Sequence, residues 1–322
     1  MIAIDQNKVK AIQVIFSDDI KKQREKAIKK LKTLNNEIDD GDDKVYLESI
    51  ISLFNDNTDI LLWDSTKLNN EKDKIGEVPL IEKLYKGRPK KVKSSIKNAV
   101  LDKLGYKALR DSFYPEYFKD IGIKACVYCN SQLTITAIKS KGEYSAKFDV
   151  DHYHSKDEYP FLSICLFNLY PSCTSCNRAK SNEVIEFNLY TDVVSETLKS
   201  DYEFKLTPYS KANYLLTKKE RDIKIAFIEP EYKNKDAKTF KDVFHIEGLY
   251  ETQKDVIEEL FVKAQMYNRS YLKILKSNFQ ELSLNPELFK RALIGNYIEE
   301  KDLHKRPMSK LMMDVAKDLD LI

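Results

Sequence analysis

The chain has 322 residues with 54 basic and 51 acidic side chains, a formal net charge of +3, and 33% charged against 42% hydrophobic residues. That balance excludes a general nucleic-acid coat, so any nucleic-acid contact must come from local basic patches. No apolar stretch approaches the roughly 20 residues that cross a bilayer, and Met1-Ile2-Ala3-Ile4-Asp5-Gln6 lacks the basic and apolar segments of a signal peptide, so a cytoplasmic protein with no membrane partner is expected.

Only 8 Gly and 9 Pro, with many Lys, Leu and Ile, predict a largely helical frame. Residues 1–16 suit a strand or a helix. Ser17-Asp18-Asp19 then starts a helix, with Ile20, Ala27, Ile28, Leu31 and Leu34 at helical spacing. An acidic turn around Gly41 leads to a helix over Val45 to Leu53. Trp63 is read as a core anchor, and Asn69 to Gly76 as a loop. Lys86 to Lys97 carries six positive charges and no acid. Gly87 and Pro89 put its start in a loop, with a helix following from Ser94 or Ser95. Its Arg88, Lys90, Lys91 and Lys93 are candidate phosphate contacts. Ile96 to Arg110 reads as helix and Tyr114 to Phe118 as an aromatic turn.

The next stretch carries the chemistry. Cys126-x2-Cys129 and Cys173-x2-Cys176 are two knuckles, each able to present two thiolates to one metal, and together they complete a tetrahedral Zn²⁺ site. Disulfides are the competing reading, disfavoured by the expected reducing compartment. Cys165, in an apolar run, is read as an inert buried thiol. Leu133 to Ile138 reads as a strand that turns near Gly142 and pairs with Ala146 to Val150. A short strand over Lys147 to Val150 delivers Asp151 and His152 side by side. A carboxylate suits a hard cation such as Mg²⁺, and a neutral imidazole can take a proton from water. His154 is a second candidate base and Asp149 a second candidate ligand. Asn168 to Cys173 reads as a further strand, and a helix is expected from Asn177.

This order resembles the HNH endonuclease family in its zinc-containing form: Cys126-x2-Cys129, Asp151-His152, Asn168-Leu169, Cys173-x2-Cys176-Asn177 and Lys180. The resemblance implies an α+β fold, a mainly helical chain carrying a central ββα-metal finger stapled by the four cysteines. It implies metal-dependent hydrolysis of DNA phosphodiester bonds. His152 is then the general base, Asp151 and Asn177 hold a catalytic Mg²⁺ or Mn²⁺, Asn168 braces the loop carrying His152, and Arg178 and Lys180 lie near phosphate. Three segments follow: a helical part with the basic loop over 1–120, the finger over 121–185, and a mostly helical accessory part over 186–322.

Tyr159-Pro160-Phe161-Leu162 and Asn168 to Asn177 further resemble the HNH effectors of anti-phage systems of the Septu and retron type. Those work with a separate ABC/SMC-like ATPase, and this chain has no Walker A segment of its own. The alternatives are a non-catalytic zinc module that binds nucleic acid or protein, and an RNA-cleaving enzyme. Beyond Lys180, strands are expected over Val184 to Leu189, Tyr202 to Leu206 and Ile223 to Phe227. Helices are expected over Asp236 to Asn278, Pro286 to Leu293 and Pro307 to Leu321.

Overall fold

The computed structural model describes residues 1–85, 88–267, 269–281 and 285–322. In chain order the elements are β1 (Ile4–Asp5), α1 (Gln6–Ile15), α2 (Ser17–Glu37), α3 (Asp42–Asp56), α4 (Ser65–Ile75), β2 (Leu80–Tyr85), β3 (Arg88–Lys93), α5 (Ile96–Leu104) and α6 (Tyr106–Ile121). Then come β4 (Ile135–Ser140), β5 (Glu143–Lys147), β6 (Asp149–His152), β7 (Leu169–Ser172), α7 (Thr174–Lys180), β8 (Tyr190–Thr191) and β9 (Glu203–Leu206). The rest is α8 (Ser210–Thr217), β10 (Ile225–Ile228), α9 (Phe240–Phe244), α10 (Ile246–Glu251), α11 (Lys254–Met266), α12 (Arg269–Glu281), α13 (Pro286–Ile294) and α14 (Ser309–Asp318). Helix predominates, and the strands among the described residues form two-stranded sheets.

The chain divides into two units that interleave in sequence. One holds Met1–Asp5, Gly122–Ile135 and Ser172–Ile322; the other holds Gln6–Ile121 and Thr136–Pro171.

In the second unit, α2 buries Ile20, Ala27, Leu31 and Leu34 and packs on α3 and α5. Asp18 and Asp19 occupy its first turn, where carboxylates complement the helix dipole. Trp63 is buried and donates its indole N–H to Asp59 at 3.1 Å. Two stretches differ from the sequence reading. Residues 65–75, expected in part as loop, form α4. The Asp64 side chain caps it by accepting from the Lys67 N–H at 3.0 Å, and Leu68 is its buried contact. The polar remainder is the solvated face of a helix. Tyr114 to Phe118 is not a turn but the middle of α6, despite Pro115. Burial decides this: Tyr114, Tyr117 and Phe118 are each about 1% exposed or less. The Phe113 ring stacks on Tyr117, and Phe118 meets Phe148 edge-on. The helix breaks instead at Gly105, which holds the left-handed C-cap of α5.

In the first unit, α14 lies along β9, and two carboxylates fix the register. Asp314 accepts the Phe204 N–H and Asp318 accepts the Leu206 N–H, both at 2.8 Å. β9 pairs antiparallel with β10, and β1 pairs in parallel with β8. Residues 184–189 form no strand; Leu189 accepts the Ile4 N–H just before β8 begins. The helix over 286–294 runs one residue beyond the range read from sequence, and that over 309–318 falls within its range.

Candidate metal centre and candidate active-site residues

The four cysteines converge in the first unit. Their sulfurs all lie within 4.8 Å of one another, and Cys129 Sγ and Cys173 Sγ are 4.0 Å apart. A tetrahedral zinc–thiolate site with bonds of about 2.3 Å places its sulfurs about 3.8 Å apart, so the donor set fits zinc. The cysteines are unbridged, which removes the disulfide reading.

The local chain explains the convergence. The first knuckle closes by the Asn130 N–H donating to the Cys126 carbonyl at 2.8 Å, with Asn130 in the left-handed region at φ 53. Asn tolerates that conformation better than most residues. Its buried side chain ties the knuckle to distant segments. Nδ2 donates to the Leu303 carbonyl at 3.1 Å and Oδ1 accepts from the Lys310 N–H at 3.0 Å. The Tyr250 hydroxyl donates to the Cys129 carbonyl at 2.7 Å. In the second knuckle Cys173 is the N-cap of α7, and its sulfur accepts from the Cys176 N–H. Backbone N–H groups of Ser131 and Cys173 also point at Cys129 Sγ and Cys126 Sγ. Donors aimed at sulfur favour thiolate and steady a bound metal. Protons are unequally shared in so tight a group. Burial pushes the Cys126 thiol up, while hydrogen bonds from Cys126, Cys173 and Cys176 hold Cys129 down. A dication would replace those protons and let all four ionise. Cys165 belongs to the other unit, where burial pushes its thiol up, as an inert core residue requires.

In the second unit β6 ends at His152, and β6 and β7 form one sheet. Asp151 and His152 are both buried. His152 Nε2 lies 3.1 Å from the Ser163 carbonyl oxygen. A carbonyl only accepts, so Nε2 carries the proton and Nδ1 is the basic nitrogen of the neutral ring. The ring packs on Tyr106, with centroids 4.8 Å apart, and the Tyr106 hydroxyl donates to the Val150 carbonyl at 3.1 Å.

Asn168 is fully buried and clamps the loop that follows β6. Its Oδ1 accepts the His154 N–H at 2.8 Å, and its Nδ2 donates to the Leu162 and His154 carbonyls at 3.0 and 3.2 Å. The Asn168 carbonyl also accepts the Tyr153 N–H at 2.9 Å. His154 sits in this loop with its ring beside Tyr153 and Tyr159.

Tyr106 also borders a cavity of about 510 Å³ lined by Lys30, Lys107, Arg110 and Lys156, with Asp102 its one acid. The Lys156 ammonium stands 5.0 Å over the Tyr106 ring. Burial lowers the Lys156 pKa, and Asp157 and Asp151 oppose that shift. Four cations around one concave surface favour an anionic ligand.

The structure thus gathers the predicted residues into two groups. Asp151, His152, Asn168 and the basic residues Arg88, Lys90, Lys91 and Lys93 belong to the second unit. The four cysteines, Asn177, Arg178 and Lys180 belong to the first. On α7, Asn177 is half-buried, Arg178 exposed and Lys180 buried. The basic stretch expected as loop is strand β3 paired with β2, apart from Lys86 and Gly87, which lie outside the described residues. Sequence reasoning missed Asn130, Tyr106 and Lys156. Asn130 adjoins Cys129 of the first knuckle and Lys156 lies four residues past His152, so both stood near a recognisable signal, while Tyr106 did not.

Comparison with protein-family models, with curated proteins and with solved structures finds no match to this chain.

Proposed function

We propose that this chain is a metal-dependent endonuclease of the HNH type that hydrolyses DNA phosphodiester bonds. The observation that carries the reading is the chain order around the cysteine cluster. Strand β6 ends on Asp151-His152, β7 begins right after the clamping Asn168, and α7 opens on the second knuckle. In this reading the cysteines hold zinc as a structural staple. His152 Nδ1 accepts the proton of the attacking water. The positive ring that results is stabilised through Nε2–H by the Ser163 carbonyl. Asn168 keeps the loop from drifting, so the base stays aimed. Asp151 is the side chain of the second unit that would hold Mg²⁺ or Mn²⁺, which would supply charge neutralisation at the leaving oxygen. Lys156 and Arg110 offer positive charge beside Tyr106, suited to phosphate. The same resemblance assigns an ABC/SMC-like ATPase partner and an anti-phage role.

One observation favours a second reading. Asp151 and His152 are 6% and 3% exposed, as in a polar core rather than an open cleft. In that case the chain is a zinc-stapled module that binds nucleic acid or protein without cleaving it.

Supercoiled plasmid with Mg²⁺ or Mn²⁺ separates the two. Nicking by wild type that vanishes in His152→Ala supports the nuclease. Equal nicking by both variants refutes His152 as the base. Absence of nicking, with the ATPase partner present as well, supports the binding module.

A further inference from the structure

The hairpin of β2 and β3 is exposed along most of its length, and its base is pinned. The Ser94 N–H donates to the Pro79 carbonyl at 2.9 Å and the Val78 N–H to the Glu158 carbonyl at 3.0 Å. Val78 and Ser94 are each 2% exposed. Beyond this anchor six residue pairs run outward, about 20 Å at the usual rise of about 3.3 Å per residue.

The register sorts the charges. Opposed residues share a face and alternate pairs point to opposite faces. Leu80↔Lys93, Glu82↔Lys91 and Leu84↔Pro89 form one face; Ile81↔Val92, Lys83↔Lys90 and Tyr85↔Arg88 form the other. On the first face charge is partly balanced, because Lys91 opposes Glu82 and Lys93 pairs with Glu158 at 3.3 Å. On the second face Lys83 stands directly across from Lys90, with Arg88 next to it and no acid on that face. Like charges facing each other across a ladder are destabilising. Lys83, Arg88 and Lys90 are exposed and make no ion pair among the described residues. Tyr85, 64% exposed, completes the cluster, with the Lys90 ammonium 5.8 Å over its ring.

We infer that this ribbon is a duplex-binding arm that lays its Lys83–Lys90–Arg88 face into the major groove of B-form DNA, making the substrate double-stranded DNA. The inference rests on the nuclease reading for what happens to the DNA, not for how the arm holds it. A two-stranded ribbon fits the major groove of B-DNA, whereas the major groove of A-form RNA is too narrow for side chains to read. Where these charges neutralise phosphates, the contacts carry no sequence information directly. The residues differ from a count of basic positions: Lys83 joins the contact set, Lys91 leaves it on the face opposite Glu82, and Lys93 leaves it for Glu158.

The test is fluorescence anisotropy with a labelled DNA duplex of about 24 base pairs, the matching RNA duplex and the DNA single strand. It uses full-length protein without added Mg²⁺ or Mn²⁺. The variant is Lys83→Gln/Arg88→Gln/Lys90→Gln, with circular dichroism and zinc content to show that it folds. Wild type is expected to prefer the DNA duplex over both other probes. Three lost phosphate contacts lower the slope of log K against log salt by about 2.7, and weaken binding about eightfold per contact at 0.1 M salt. A triple variant that folds and binds duplex DNA as wild type does overturns the inference, as does equal wild-type binding to the RNA duplex. Plasmid nicking is scored in parallel. Lost binding in the variant with no nicking by wild type, the ATPase partner present as well, keeps the arm and rejects the nuclease. Unchanged binding with intact nicking does the reverse.

Discussion

Replacing Asn168 by Asp changes one atom of a fully buried side chain and reverses its role toward two carbonyls. In the native protein Nδ2 donates to the Leu162 and His154 carbonyls at 3.0 and 3.2 Å, while Oδ1 accepts the His154 N–H at 2.8 Å. Asn168→Asp keeps the acceptor and turns the donor into an anionic oxygen facing two other oxygens. Two hydrogen bonds at about 1 kcal/mol each are lost. The buried carboxyl is also pushed up from its ordinary value of about 3.9, and a rise of about two units costs about 2.7 kcal/mol above neutral pH. The total is about 5 kcal/mol, or a fall in Tm of roughly 10–20 °C. The sign with pH is fixed. A folded-state pKa above the unfolded one gives stability that is present at low pH and lost as pH rises through the folded value. The deficit against wild type should therefore be largest at pH 7.5 and shrink by about 2–3 kcal/mol at pH 5, where the protonated carboxyl can donate to Leu162 again. Urea melts of both proteins at both pH values measure it. A deficit under about 1 kcal/mol, or one independent of pH, would show that Asn168 does not clamp this loop.

Other outcomes follow from the same contacts. Purified protein should carry one zinc per chain by chromophoric titration; Cys126→Ser should lose it and unfold the first unit, while Cys165→Ser keeps it. His154→Ala should retain most nicking activity and His152→Ala almost none, since the Nε2 contact to Ser163 belongs to His152 alone. Burial raises the Asp314 carboxyl to about 6 against 3.8 in the unfolded chain, even with Lys310 beside it. The stability Asp314 contributes is thus present below about pH 4 and lost through pH 6, by up to about 3 kcal/mol. Asp314→Asn should flatten that part of the stability–pH curve, and a curve of unchanged shape would contradict the assignment. Lys156→Gln should raise the KM for plasmid cleavage with little change in zinc content, because its ammonium lines the basic cavity beside Tyr106.

Some of this was legible from the sequence. Knuckle spacing alone announced the cysteine cluster, because two residues between cysteines is a local geometric demand. The strand that delivers His152 and the helices over 286–294 and 309–318 were legible for the same reason: their patterns are local. What was hidden is long-range. Asn130 matters because it reaches Leu303 and Lys310, and nothing in Asn130-Ser131 says so. The helix over 65–75 was read in part as loop because a single buried Leu68 gives no periodicity, and the capping Asp64 was the unheeded signal. The start of the basic stretch was read as loop on Gly87 and Pro89, and lysines on both faces of β3 hide its period of two. Pro115 marked a turn by composition, yet the aromatics around it bury more surface as a helix.

The interleaving of the two units sets a timetable for the ribosome. β1 cannot pair until Tyr190 and Thr191 exist, so Ile4 and Asp5 wait through about 185 residues of synthesis, roughly 10 to 40 s at 5–20 residues per second. The first knuckle emerges with its sulfurs unshared and stays so until Cys176 follows. The whole of 136–171 is made in between, as an excursion that belongs to the other unit. A metal gripped by all four sulfurs is therefore a late event, and its arrival closes a long loop. Nascent chains stalled before residue 173 should hold zinc weakly through two thiols, and chains released beyond it should hold it firmly.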